Sequence, residues 1–357
     1  MKQSKRKRVT LQQVAEHAGV SRATASLIVR NSPSVSEKTR KKVLASMKEL
    51  GYVYDRIAAN LRSQTSSTIG VIITDISNTF FTELLIGVHE ELEKDGYTVF
   101  LGTTFDSDNR QDQLLSTMLE HRVGGIILCP VAGTSEDTIR KIQHLDVPSV
   151  LAVRELPEVE SDYVGVDYRL GVQKAVQHLL EQGHKRIAFL GGTTGSTTWK
   201  ERMEGYRSAL KNAGISIDEE LVIPSGPTRS GGVEAARQVL DISEPPTAVF
   251  CFSDLVAFGV MQGLKEKGIV PGEDIAVVGF DNVMESSVCH PTLTTVSSFA
   301  RQIGKDAARC LHNQIVDKKE HHHRIILTPQ LVVRESSSKK EAVNELLLFL
   351  VNYLDGS

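Results

Sequence analysis

The chain has 357 residues, 41 Lys/Arg against 44 Asp/Glu and a net charge of −3, which allows two or three domains with real cores. The near balance conceals a split, because residues 1–62 hold 14 basic and 4 acidic residues, a segment of +10 joined to a remainder of −13. The opening MKQSKRKRVT has no apolar run behind its charges, and Cys129, Cys251, Cys289 and Cys310 form no CxxC or metal-ligand spacing, so neither a secretory signal nor a membrane span is expected to start here, and a cytoplasmic location with reduced thiols is expected.

A compact cationic segment is the footprint of a polyanion binder, since neutralised phosphates release condensed counterions. Thr10 precedes Leu11, Val14, Ala15 and Ala18, an apolar stripe at helical spacing behind a capping hydroxyl. Gly19 ends that helix, and Ser21 caps a second. In the second helix Ala25, Ile28 and Val29 can pack inward, leaving Arg22, Ala23, Ser26, Leu27 and Arg30 outside. Such a slim, hydrogen-bonding face suits a major groove, where bulky or acidic side chains meet the phosphate walls. A third helix runs from a Ser36 cap through Val43, Met47 and Leu50 to Gly51.

From Thr68 the rhythm changes. TIGVIIT precedes a helical stretch from Phe80 to Lys94, and TVFLGTT, GGIILCP and SVLAV follow with helices between them. After Gly183-His184 the pattern restarts with RIAFLGG, a helix from about Trp199 to Ala213, TAVFCF, a helix from Asp254 to Lys267, and IAVVGFDN. Strands alternating with helices predict two parallel-sheet lobes, with ligands bound beyond the carboxyl ends of the strands and in the crevice between the lobes. His321-His322-His323 reads as a solvated loop. Val343, Leu346, Leu347, Leu350, Val351 and Leu354 repeat at helical spacing over too short a run to span a bilayer. Dimerisation and docking on the chain's own domain stay equally open for that tail.

The stretch TLQQVAEHAGVSRATASLIVRNSPSVSEKTRKKVLASMKELGYV resembles the DNA-binding headpiece of the LacI/GalR (lactose-repressor) family. The resemblance implies that Ser21, Thr24 and Ser26 fix the recognition helix on phosphates while Arg22, Ala23 and Leu27 read base edges, with Thr10, Arg30 and Asn31 completing the contact set. Arg22 can pair bidentately with guanine, and Leu27, where several family members carry a polar reader, offers only an apolar contact. A hinge helix is implied over about 55–62, in which Ala58 meets the minor groove and Leu61 wedges into it; the bland alternative docks Leu61 on the next domain. Ser63–Ser67 reads as a polar linker.

ITDISNTFF, HLLEQGHKRIAFLGG, RMEGYRSAL, FCFSDLVAFGVMQGL, VVGFDN and TPQLVVRES resemble the periplasmic-binding-protein-like effector domain of the same family over about 68–338. The implied cleft is lined by Asp75, Asn78, Phe80, Phe81, Arg154, Arg202 and Asp281, with Trp199, Ser253 and Asp254 nearby. Arginine forks and carboxylate acceptors suit a polyhydroxylated ligand, and aromatic faces suit its apolar ring surface. Within this set Arg202 can instead form a surface ion pair, one of Phe80 and Phe81 is expected in the core, Trp199 is open between packing and stacking on ligand, and Asp254 suits a helix cap.

The expected fold is therefore a small all-α helix-turn-helix headpiece (1–62, the motif over about 10–30), a linker (63–67), a two-lobed α/β domain with parallel sheets (68–338) and a tail (339–357). FLGGTTG lacks the GxGxxG spacing, and GxxxxGK[ST], GxSxG and HExxH are absent, so no enzymatic activity, cofactor or metal is expected. A plain periplasmic receptor would have no use for a +10 segment. The reading is a transcriptional regulator, expected to repress, that binds a near-palindromic operator as a homodimer or higher oligomer and responds to a small molecule, foremost a sugar or sugar derivative. Inducer and corepressor remain equally open.

Overall fold

The computed structural model describes residues 9–29, 32–53, 66–317 and 323–338. The chain forms two compact units divided between Thr65 and Ser66. The hinge segment 55–62 with Ala58 and Leu61, the residues Arg30 and Asn31, and the tail 339–357 lie outside the described residues.

The first unit contains three helices, α1 (Leu11–His17), α2 (Arg22–Val29) and α3 (Glu37–Leu50). Thr10 opens α1 through a reciprocal box, its hydroxyl accepting from the Gln13 amide at 3.3 Å while the Thr10 amide donates to Gln13 Oε1 at 2.9 Å. Gly19 then turns the chain at φ +62°, a left-handed conformation that a side chain would strain. Val14, Ala15 and Ala18 of the first helix, Ala25 and Ile28 of the second and Val43 of the third share one small core. With so few buried side chains, the capping bonds at Thr10, Ser21 and Ser36 carry an appreciable share of the order, each worth about 1 kcal/mol.

The second unit has two six-stranded sheets. Lobe I comprises β1 (Thr68–Ile73), β2 (Thr98–Thr103), β3 (Gly125–Leu128), β4 (Ser149–Ala152), β5 (Asp162–Val166) and β11 (Arg324–Leu327) in the order β11-β5-β4-β3-β1-β2. Its helices are α4 (Thr79–Leu92), α5 (Asp108–Glu120), α6 (Glu136–His144) and α11 (Ala300–Asp317). Lobe II comprises β6 (Ile187–Leu190), β7 (Val222–Ile223), β8 (Ala248–Cys251), β9 (Ala276–Asp281), β10 (Thr294–Ser297) and β12 (Gln330–Val332) in the order β12-β10-β9-β8-β6-β7. Its helices are α7 (Tyr168–Glu181), α8 (Thr197–Asn212), α9 (Arg229–Leu240) and α10 (Asp254–Glu266). All pairings are parallel except that of β12 with β10. The continuous apolar runs of the central strands follow from burial on both faces.

The repeat visible at Gly183-His184 suggests that the lobes are consecutive in sequence; they are interleaved instead. Lobe II begins with α7, which packs on α8, and lobe I is completed by α11, which packs on α4, and by β11, which pairs with β5 in register Ile325↔Val164. The late strand covers a sheet edge that would otherwise present unpaired amides and carbonyls. The helices α4 and α11 meet backbone to backbone, since a side chain at Gly87 would strike the Arg301 carbonyl and one at Gly304 the Leu84 carbonyl. Three segments thus cross between lobes, after β5, β10 and β11. Two of these crossings are tied where the Asp167 amide donates to the Leu327 carbonyl at 3.1 Å. Among the described residues no helix is long and apolar enough to cross a membrane.

Candidate functional site

In the headpiece, α2 presents the face that its composition suggests. Arg22 and Ala23 are exposed, Thr24, Ser26 and Leu27 are half-buried, and Ala25 and Ile28 turn into the core. The Ser21 hydroxyl accepts from the Thr24 amide at 3.1 Å and lies 2.9 Å from the Thr24 hydroxyl. Two residues expected at phosphates are therefore first of all a cap, which holds the start of the helix in place. Val29, expected inward, is only partly buried.

In the second unit a cavity of about 330 Å³ lies between the lobes, lined by residues that follow the carboxyl ends of the parallel strands. Thr74 and Asp75 follow β1, Phe105 and Asp106 follow β2, and Val153 and Arg154 follow β4. Thr193 follows β6, Pro227 and Thr228 follow β7, Phe252 and Ser253 follow β8, and Asp281 ends β9. Asn78, Phe80 and Phe81 come from the start of α4, Tyr168 from the first crossing, and Thr198 and Arg202 from α8.

Eight of the ten effector residues named from sequence therefore line one cavity: Asp75, Asn78, Phe80, Phe81, Arg154, Arg202, Ser253 and Asp281. Phe80 and Phe81 both line it, and both are buried members of the hydrophobic core, where only one was expected. They sit in the first turn of α4, whose side chains lean back over the helix end, and their rings meet edge to face at 5.0 Å. Trp199 does not line the cavity. Its indole stacks on Phe189 at 6.0 Å with an interplanar angle of 17°, against the loop where Gly192, at φ +84°, leaves no room for a Cβ beside Phe252 and Trp199.

Asp254 is neither in the cavity nor a side-chain cap, a role taken by Ser253, whose hydroxyl accepts from the Val256 amide at 3.4 Å. Asp254 is fully buried; Oδ1 accepts from the Thr295 hydroxyl at 2.5 Å, and Oδ2 accepts from the Ser286 hydroxyl at 2.6 Å and the Val283 amide at 2.9 Å. A carboxylate inside a lobe needs such donors, and these anchor the loop that follows Asp281. Burial nonetheless pushes its carboxyl above the usual range, against the pull of those hydrogen bonds.

Arg202 is 4% exposed, which excludes a surface ion pair. Its guanidinium carbon lies 4.2, 4.3 and 4.4 Å from the ring centres of Tyr168, Phe252 and Phe280, and Nη1 donates to the Thr198 carbonyl at 3.2 Å. Its Nε has no partner among the described residues. Desolvation pulls its pKa down, opposed by Tyr168, Asp281 and Glu201. Asp281 is its counterpart: burial pushes the carboxyl well above the carboxylate range, and Arg202 works against that shift. Among the described residues no hydrogen bond reaches the Asp281 carboxyl, and its backbone stands at φ +126°. An unpaired, strained acid at a cavity wall is the arrangement expected where a ligand supplies the missing partner.

The lobe I wall is different. Arg154 Nη1 donates to Asp106 Oδ1 at 2.5 Å and to the Pro130 carbonyl at 3.0 Å, and Nη2 donates to Asp106 Oδ2 at 3.3 Å. Asp75 Oδ1 accepts from the Ser77 amide and hydroxyl, both at 2.8 Å, and Asn78 Oδ1 caps α4 at the Phe80 amide at 3.0 Å. Across the lobes, the Thr79 hydroxyl donates to Glu285 at 3.2 Å. Reading from sequence missed Thr74, Phe105, Asp106, Val153, Tyr168, Thr193, Thr198, Pro227, Thr228 and Phe252. Their position just past strand ends is the signal that finds most of them.

Two family descriptions match the chain. "Bacterial regulatory proteins, lacI family" covers residues 10–55, and "Periplasmic binding proteins and sugar binding domain of LacI family" covers residues 66–335. The HTH-type transcriptional repressor PurR of Vibrio atlanticus is 36% identical over 309 residues, 87% of this chain and 92% of that protein. The transcriptional regulator CelR in complex with cellobiose shares 32% identity at a TM-score of 0.71, covering 92% of this chain and 100% of that one. The lac repressor dimer bound to operator and the anti-inducer ONPF shares 27% identity at a TM-score of 0.82, covering 93% and 100%. The helix-turn-helix head and the two-lobed domain thus belong to one plan, and the chain is a member of the LacI family of DNA-binding transcriptional regulators.

Proposed function

We propose that this regulator represses transcription as a dimer on a near-palindromic operator, and that a carbohydrate held between the lobes sets its operator affinity. The cavity carries the reading, because its walls come from both lobes and its unpaired Asp281 is offered to a ligand. A ligand touching both walls binds the alternative lobe arrangements unequally, and only that difference can alter DNA affinity, by about 1–3 kcal/mol. Phe80, Phe81, Tyr168 and Phe252 supply apolar faces for a sugar ring, and Asp75, Asn78, Ser253 and Asp281 supply groups for its hydroxyls. The likeness to a regulator bound to cellobiose supports the carbohydrate class.

On DNA, Arg22 reads a guanine from the exposed start of α2, Ala23 and Leu27 lie against neighbouring bases, and Thr10, Ser21, Thr24, Ser26, Arg30 and Asn31 position the helix on phosphates. Ala58 and Leu61 enter the minor groove at the operator centre, where a wedge kinks the duplex. Arg22→Ala relaxes preference at one operator position by about 1–3 kcal/mol, measured over an operator library; an unchanged preference rules the assignment out. Thermal-shift screening of sugars and nucleobases, followed by operator binding with and without each hit, tests the effector, since a folded-state ligand raises stability as ln(1 + [L]/Kd). A nucleobase hit without a sugar hit refutes the carbohydrate class.

A further inference from the structure

We infer that Asp106 is a charge filter: by occupying the guanidinium of Arg154 it makes the cleft select an uncharged, hydroxyl-rich ligand and refuse phosphorylated or carboxylated ones. The inference rests on the reading of the cleft as the effector site. Two arginines facing a cavity would ordinarily mark an anion site, because guanidinium forks match carboxylate and phosphate bidentately. Here the Arg154 fork is taken, and Arg202 offers only the edge whose Nε has no partner among the described residues. Both terminal nitrogens of Arg154 reach the two Asp106 oxygens, and Nη1 also holds the Pro130 carbonyl. Arg202 is enclosed by three aromatic rings, with Nη1 on a backbone carbonyl.

The acids tell the same story from the other side. Asp75, Asp106 and Asp281 outnumber the two arginines at the cavity wall, and among the described residues no hydrogen bond reaches the Asp281 carboxyl, while Ser298 donates to the backbone carbonyl of that residue. Where Asp281 is ionised, an incoming phosphate meets a like charge in a poorly solvated space, where like charges repel strongly. A sugar hydroxyl, both donor and acceptor, satisfies it in either protonation state.

The backbone is strained at this pair, as it is at Asp281 across the cavity. Phe105 at φ +49° and Asp106 at φ +57° carry the acid, and Val153 at φ +71° precedes the base. A β-branched residue in the left-handed region is a genuine outlier, held there only where its surroundings over-determine it. Strain on both arms of one ion pair, at the rim of one cavity, marks a pair positioned for selection.

The test titrates the full chain at constant ionic strength with matched probes: D-glucose and D-glucose 6-phosphate, cellobiose, adenosine and adenosine 5′-monophosphate, and inorganic phosphate alone. The wild type is expected to bind the neutral member of whichever pair it accepts at least about tenfold more tightly, the scale of one hydrogen bond to a charged group. Asp106→Asn and Asp106→Ala are expected to erase that preference and to gain thermal stabilisation from inorganic phosphate, a gain removed by adding Arg154→Met. The filter is overturned by a wild type that takes the phosphorylated member equally well, by an unchanged ratio in both variants, or by phosphate stabilisation that survives Arg154→Met. Binding of the adenosine pair without the sugars refutes the carbohydrate class, while the ratio within that pair still judges the filter. If neither pair binds, the phosphate response of the Asp106 variants decides; if those variants misfold, equal stabilisation of the wild type by inorganic phosphate and by the neutral probes overturns the filter and stabilisation by the neutral probes alone supports it.

Discussion

The two walls of the cleft handle charge in opposite ways. Lobe I pairs its ions with each other, Arg154 with Asp106, and ties Asp75 to Ser77. Lobe II leaves Asp281 unpaired and shelters Arg202 among rings, with a second acid, Asp254, anchored behind. A satisfied wall has little to gain from a ligand, whereas an unsatisfied one exchanges its cost for ligand contacts. On the proposed reading, lobe II is the wall on which ligand binding depends most, and lobe I the wall that discriminates.

The sharpest way to break this contrast is at Asp254. Asp254→Ala strands the Val283 amide and two hydroxyls in the interior and is expected to lower unfolding stability by about 3–5 kcal/mol, read by urea denaturation; a loss below about 1 kcal/mol removes its anchoring role. Asp281→Ala comes next, with effector affinity weakened by about 2–3 kcal/mol while operator binding without effector persists. A normal ligand titration would erase the difference between the walls.

Glu201, on α8 behind the lobe II wall, sharpens it through pH. Burial raises its carboxyl from 4.5 to about 7, opposed by Arg202 and reinforced by Glu155, Asp167 and Glu204. The folded state thus holds the proton more tightly than the unfolded chain. Its contribution is complete below about pH 4.5 and is lost as pH rises through about 7. Glu201→Gln should flatten that slope and stabilise the protein at pH 8 by on the order of 1–2 kcal/mol; identical pH–stability curves would refute it. The smallest effect is expected at the mouth, where Thr79→Val removes the hydroxyl donated to Glu285. It should shift effector affinity by about 0.5–1 kcal/mol with little change in unfolding stability, measured by calorimetric titration; a change in stability without one in affinity would assign the contact to packing alone.

Much of the plan was legible in the chain. Local rules suffice for the headpiece, because Thr10, Gly19, Ser21 and Ser36 act within a turn of their own positions. The strand–helix alternation and the rule that ligands gather at strand ends predicted a crevice between two lobes, and the family resemblance put Asp75, Arg154 and Asp281 on it. Three things escaped. The interleaving of the lobes escaped because the pairing of β11 with β5 joins residues about 160 positions apart, beyond any local pattern. Trp199 stayed open between packing and ligand, and Asp254 was read as a helix cap, because one turn of helix decides between cavity and core. Asp106 was passed over because nothing near it in the chain points to Arg154, 48 positions away, as its partner.

Sequence alone determined the charge split, the capped helices, the alternating strands and the residue types available to the cleft, since each depends on composition or on neighbours within a few positions. Tertiary structure decided which acids are paired and which stand unmet, which aromatic rings surround Arg202 and which lobe owns each segment. Those outcomes are set by distances between residues remote in sequence, and a charge costs or stabilises according to what lies within a few ångströms of it.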